Sequence, residues 1–317
     1  MELQLIENNL PKTEFSLPEY PSFIEGNSVP MPLQEMRSQH IIPVFTKDNE
    51  PTISHQDFIQ ILGETTEEVI GLPLSPVDIR VSHPVKGRIP SARHKPAAAL
   101  LPHEKTLYYE RCAFLYRIPS VTREIDGHPI QLTVGGVKAY NLDNLNRTGG
   151  SPQVFKVFIG FQVKICSNLC VFTDGYKDQI KTGSIRKLSD QIAQLVHDFD
   201  EEAQYRELAS LMDGGISPCE FTFLVGRCRI YQNLAYKAKK ALPAMLLSDS
   251  QINHVVKMYA GMGNESLSLP PLSHWDLYNL VSTAVKSTYI DAFLARNANS
   301  LDFVNHLRGS RDSWFLN

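Results

Sequence analysis

Hydrophobic and polar positions change their period about halfway along the chain. From Phe155 to Ile165 they alternate. Phe155, Val157, Ile159, Phe161, Val163 and Ile165 share one side, and Lys156, Phe158, Gly160, Gln162 and Lys164 share the other. Alternation this sustained predicts a strand in a sheet with one covered face and one wetter face. Val77–Val81 alternates in the same way, and Thr106–Ile118 is rich in aromatic and aliphatic residues. Asp126-Gly127 lies between that run and Ile130–Tyr140, which predicts a β-hairpin. Within the second run Ile130, Leu132 and Val134 are even-numbered, whereas Val137 and Ala139 are odd. A β-bulge at Gly135-Gly136 would account for the change of phase.

From about residue 183 the spacing becomes three and four. Ile185, Leu188, Ile192, Leu195, Val196 and Phe199 form the apolar stripe of an amphipathic helix. Ser217-Pro218 reads as the N-cap and first-turn proline of a second helix reaching about Leu234. Ser248-Asp249 opens a third, closed near Gly261. After Pro270-Pro271, the run Leu277, Leu280, Val281, Ala284, Val285, Ala292 and Phe293 predicts one long fourth helix. A short helix from Asp57 to Leu62, capped by Ser54 and ended by Gly63, precedes the strands.

Strands followed by helices, rather than alternating with them, argue for an α+β fold with an antiparallel sheet in the first half. Residues 1–52 hold Pro11, Pro18, Pro21, Pro30, Pro32, Pro43 and Pro51, and proline disfavours helix and central strand alike. That stretch reads as an extended arm. Phe15, Tyr20, Phe23, Met31, Met36, Ile41, Ile42, Val44 and Phe45 make it too apolar for a free tail. It is expected to wrap the body or a neighbouring subunit, which leaves a homo-oligomer open. The division expected is therefore an arm over 1–52, a β region over 53–182 and a helical region over 183–317 packed on the sheet.

Hydrophobic residues at 43% and charged residues at 21% of 317 suit a folded chain with a sizeable core. A net charge of −3 argues against wholesale coating of nucleic acid, while leaving local patches free to bind phosphate. The five cysteines, Cys112, Cys166, Cys170, Cys219 and Cys228, are odd in number and follow no apolar leader. Reduced thiols, a cytoplasmic setting and no membrane span are the expectation. No phosphate-binding glycine loop, dinucleotide fingerprint or nucleophile elbow occurs. His103-Glu104 begins like a zinc-protease helix, but Leu107 stands where a second histidine is needed. Asp198 and Asp200 could hold a divalent ion, and a solvated helix face explains them too. Cys166 and Cys170 are spaced too widely for a redox pair and suit core packing. No catalytic residue, metal or cofactor is assigned, and the chain leans away from being an enzyme.

Two windows contain cations and no acid. Between His83 and His103 stand Lys86, Arg88, Arg93 and Lys95, with Tyr108 and Tyr109 following. Between Phe221 and Ser248 stand Arg227, Arg229, Lys237, Lys239 and Lys240, interleaved with Tyr231 and Tyr236. Clustered cations neutralise phosphates, and exposed aromatics offer stacking platforms for single-stranded bases. Lys156 and Lys164, on the wetter side of the clearest strand, would extend such a groove. Ordinary solvated surface is the competing explanation.

Seven runs, Ser82–Pro90, Glu104–Arg111, Gly135–Leu145, Phe155–Gln162, Cys166–Cys170, Gly226–Arg229 and Ser287–Asp291, resemble an uncharacterised domain-of-unknown-function family (number 3871) of bacterial conjugative elements and prophages. The likeness runs from about residue 75 onward and leaves the arm unmatched. Cys166–Leu169 and Trp275–Leu280 are also remotely similar to a broader phage- and plasmid-borne family of unassigned function. These resemblances supply no activity. They imply a setting in mobile DNA, whose accessory proteins commonly handle, copy, protect or regulate nucleic acid. The expectation is non-enzymatic nucleic-acid binding, such as single-strand binding or annealing. The rivals are a module that docks on a host or element-encoded protein, and an enzyme whose site disperses over Asp78, His83 or Asp174.

Overall fold

The computed structural model describes residues 21–39, 53–92, 94–143, 152–263, 268–310 and 312–317. Its strands are β1 (Val29–Pro30), β2 (Asp78–Val81), β3 (Pro84–Arg88), β4 (Lys105–Tyr109), β5 (Arg111–Ile125), β6 (His128–Ala139), β7 (Gln153–Val163), β8 (Leu169–Thr182), β9 (Gly215–Ile216) and β10 (Leu272–Ser273). Its helices are α1 (Leu33–Gln39), α2 (His55–Ile70), α3 (Ile185–Asp198), α4 (Glu201–Ala209), α5 (Pro218–Asn233), α6 (Tyr236–Lys239), α7 (Asp249–Gly261), α8 (His274–Val285) and α9 (Ile290–Gly309). The fold is α+β, with an antiparallel sheet in the first half and helices in the second. Among the described residues no helix is long and apolar enough to cross a membrane.

The main sheet has six strands in the order β1-β2-β5-β6-β7-β8, every neighbouring pair antiparallel. Asp126 (φ 51°) and Gly127 (φ 71°) join β5 to β6 with both residues left-handed, as a two-residue hairpin turn requires. Along β6 and β7 the sheet has no wetter face. On one side Phe114, Val134, Phe155, Val157 and Ile159 meet α2 and α3, with Phe58 edge-on to Phe114 and Phe155 at 5.0 Å. On the other, Leu115, Val137, Phe158 and Val171 meet Val285, Phe293 and Leu294 of α8 and α9. Burying one such side chain contributes about 1.5–3 kcal/mol. Alternation in β7 therefore marks two covered faces of different residue type, and only Ile165, beyond the strand, is widely exposed.

Three further expectations are corrected. The register of β6 runs unbroken through Gly135-Gly136, so no bulge lies there; the irregularity falls in β5 between Arg117 and Thr122. The glycines are instead points of close approach. A Cβ on Gly135 would stand 2.2 Å from the Phe114 carbonyl oxygen, and one on Gly136 would stand 2.5 Å from the Phe58 ring. Gly63 does not end α2, which keeps its Ser54 cap but runs on to a left-handed Gly71. The fourth helix is two helices, α8 and α9, separated at Lys286–Tyr289. There the Lys286 carbonyl accepts the amides of Glu25 and Gly26, at 2.8 and 2.9 Å. The described part of the arm is thus docked on the body, with Phe23 and Ile24 buried beside Phe293. Arm residues 1–20 and 40–52 lie outside the described residues, as does Arg93.

Candidate nucleic-acid interface

β3 and β4 pair with each other and stay apart from the main sheet. Their register sets Lys86 opposite Leu107 and Arg88 opposite Lys105. Directly opposed residues share a face of an antiparallel pair, so Lys86, Arg88 and Lys105 stand together on one face. Lys86 and Lys105 are exposed and neither forms an ion pair among the described residues, while Arg88 is half-buried and donates from Nη1 to the Lys95 carbonyl. Like charges set directly across a ladder repel, so this face is relieved when an anion settles on it. Lys105 was invisible to the acid-free window because Glu104 precedes it; only the strand register brings it beside Arg88.

Lys95 is less available. It pairs with Glu104, whose carboxylate also accepts the Leu101 amide at 2.9 Å. The hydrogen bond from Lys95 holds the Glu104 carboxyl below its usual range. Neither of the two tyrosines expected to stack on bases is available for it. Tyr109 is buried, and its carbonyl accepts from His55 Nε2 at 2.7 Å. Tyr108 lies on the face opposite Lys86 and packs edge-on to Tyr140 at 5.9 Å.

The strand lysines do not join this face. Lys156 is buried in the sheet and pairs with Asp178 at 2.9 Å, so it is not an open-groove cation. Lys164 is half-buried just past β7. The second window lies on α5, α6 and the turn after them. Arg227 donates to the Asn317 carbonyl and sits 4.8 Å over the Trp314 ring. Arg229 pairs with Asp249 at 3.3 Å, and Lys239 donates to the Gln232 carbonyl at 2.8 Å. Lys237 and Lys240 are exposed, the latter over the ring of Tyr236, which is itself 74% exposed. The elements carrying the two windows make no substantial packing contact with each other.

The dispersed catalytic set does not assemble. Asp78 pairs with Arg117 at 3.1 Å on β2, Asp174 accepts from Gln204 on β8, and His83 is exposed. β2 and β8 are four strand positions apart, roughly 19 Å at ordinary strand spacing. Asp200 caps α4, accepting the Ala203 amide at 2.9 Å. Cys112, Cys170 and Cys228 are buried, Cys166 is half-buried and Cys219 is exposed. The two segments with the remoter resemblance touch each other. Asn168, in the β7–β8 turn, donates to the Asn279 carbonyl at 3.2 Å, and Tyr278 donates to the Leu169 carbonyl at 3.0 Å.

A family model described as "Domain of unknown function, B. Theta Gene description (DUF3871)" matches residues 7–316, so the likeness extends through most of the arm as well. No curated protein and no solved structure matches the chain.

Proposed function

The chain belongs to this family of unknown function, and from that premise we propose that it binds nucleic-acid backbone through the β3–β4 hairpin, without catalysis and in the setting of a mobile genetic element. The opposed pair Arg88 and Lys105, with Lys86 one ladder step away, carries this reading. Three cations on one exposed face suit phosphates about as closely spaced as those of a single strand or one edge of a duplex. With Tyr108 on the opposite face and Tyr109 buried, the contact is to backbone and carries little base preference. Fluorescence anisotropy with labelled single- and double-stranded oligonucleotides, over a salt series, tests it. Binding should weaken linearly on a log–log plot, and Lys86→Ala and Lys105→Ala should each reduce the slope by about one. A wild-type protein that binds neither oligonucleotide at low salt ends the proposal.

A protein-docking role is the second reading. Phe223 and Ile230, seven residues apart on the outer face of α5, are 48% and 49% exposed, with open space over Gly226 between them. If this reading holds instead, Phe223→Asp abolishes a stable complex with an element- or host-encoded protein, while Lys86→Ala does not.

A further inference from the structure

Away from the hairpin, the short β9–β10 ladder brings two helix starts side by side. Ile216 pairs with Leu272 and Gly215 with Ser273, so α5, of 16 residues, and α8, of 12, begin at one place. A cleft of about 640 Å³ opens there, lined by residues 213–217 and 271–274, with Leu307, Arg308 and Leu316 on its far side. Ser217 with Glu220, and Ser273 with Asp276, form capping boxes that satisfy four of the free amides. The amides of His274 and Trp275, at the first two positions of α8, keep no intrahelical acceptor.

His274 lines the cleft, yet the residue is 6% exposed and its Nδ1 has no hydrogen-bond partner among the described residues. A buried ring nitrogen left unpaired is costly, and natural cores leave few of them. The ring hydrogen-bonds the Asp213 backbone, and Gly214, left-handed at φ 85°, lies against its edge. Arg308 reaches the same cleft from α9, anchored through Nη1 on Ser210. Glu220 also lines it, but one carboxylate oxygen is held by both the Ser217 amide and hydroxyl at 2.7 Å; the Asp213 residue is exposed at the rim.

We propose that this cleft binds a small organic oxyanion, a carboxylate or a phosphate monoester, between the first turn of α8, Arg308 and His274 Nδ1. Helix amides and a guanidinium are the usual donors to such groups. Pro271, Leu307 and Leu316 give the ligand's carbon body an apolar wall. Burial first, and then the Arg308 charge, hold the His274 imidazole below its ordinary value and favour its neutral form. An arriving anion offsets Arg308, and the ring takes one proton from solvent and donates it from Nδ1. Glu220, Asp213 and, on its own helix, Asp276 are the other charges near it.

The test follows the His274 ring resonance through a pH titration in the full chain carrying Lys86→Ala and Lys105→Ala, which removes hairpin phosphate binding. Inorganic phosphate and benzoate are the probes, with chloride at equal ionic strength as reference. A rise of about one unit in the His274 midpoint with phosphate alone assigns a phosphate ligand, with benzoate alone a carboxylate, and with both the shared chemistry. His274→Gln, which retains hydrogen-bonding capacity, should weaken probe binding at least fivefold. Identical titrations with both probes and with chloride overturn the site, whatever the oligonucleotide assay returns.

Discussion

Lys138 is a charged residue with no exposed surface, and its position in an alternating strand gave no warning of that. Its Nζ lies 3.0 Å from Asp143 Oδ2 and from Gln153 Oε1, and 4.1 Å over the Phe155 ring. Burial pushes the lysine's pKa down and the aspartate's up, and each charge counters the other's shift. Asp143→Ala would leave the ammonium unpaired and should cost about 3–5 kcal/mol by urea denaturation. Replacing both, as Lys138→Met with Asp143→Leu, should cost less; a single change costing under about 1 kcal/mol would refute this account. His274 makes a pH-dependent contribution with a definite sign. Its folded pKa is depressed below 6.5, so the unfolded chain binds more protons as pH falls past that value. The stability it contributes is present above about 6.5 and is lost toward the folded pKa. Urea midpoints at about pH 5 and 7.5 should therefore differ less in His274→Gln than in the parent. The thiols give a third residue-scale expectation. Burial raises Cys170 and Cys228 to about 12 and Cys112 further. A maleimide at neutral pH should modify Cys219 quickly and Cys166 slowly, leaving the other three until unfolding, as mass spectrometry would record.

At the scale of elements, helix starts were legible, and so were the ends of α5 and α7, but not the end of α2 or the break between α8 and α9. Ser54, Ser217 and Ser248 each cap the helix expected of them, because a cap is a local hydrogen bond between residues three apart. Gly63 looked like a stop, but it is buried against Tyr116, where a Cβ would lie 3.0 Å from the ring, and α2 simply continues. The break between α8 and α9 has no glycine or proline within Lys286–Tyr289. It coincides with the arm's amides on the Lys286 carbonyl, a tertiary contact across some 260 residues that periodicity cannot register. The glycines offer a paired test of local against non-local control. Gly226→Ala, on the outer face of α5 with nothing near its Cβ, should gain up to about 1 kcal/mol from helix propensity. Gly135→Ala, forced against the Phe114 carbonyl, should lose several times that, and equal effects in thermal melts would contradict the role given to each.

For the whole molecule, the helical half is closed by residues from its far end. Phe315 is fully buried between Tyr231 of α5 and Phe303 of α9, with ring centroids 5.7 and 4.8 Å away. Phe315→Ala should cost about 3–5 kcal/mol, and a loss under about 1 kcal/mol in chemical denaturation would show that the segment merely rests on the surface. The α+β class, strands β2, β5, β6 and β7, the Asp126-Gly127 turn and the start of nearly every long helix were set by the sequence itself, whereas β8 and the division of Thr106–Ile118 between β4 and β5 were not. Those features depend on side-chain periods and on hydrogen bonds only a few residues long. Whether a cation faces solvent was decided by the tertiary structure alone. Lys86 and Lys156 look alike in the chain, yet one stands on an open hairpin and the other is buried in the sheet and paired with Asp178. Lys105 joins Arg88, and His274 joins Arg308, only through ladders and helix packing between segments distant in sequence. Periodicity tells which side chains share a face; what covers that face depends on chain topology, and that is where both candidate sites are made.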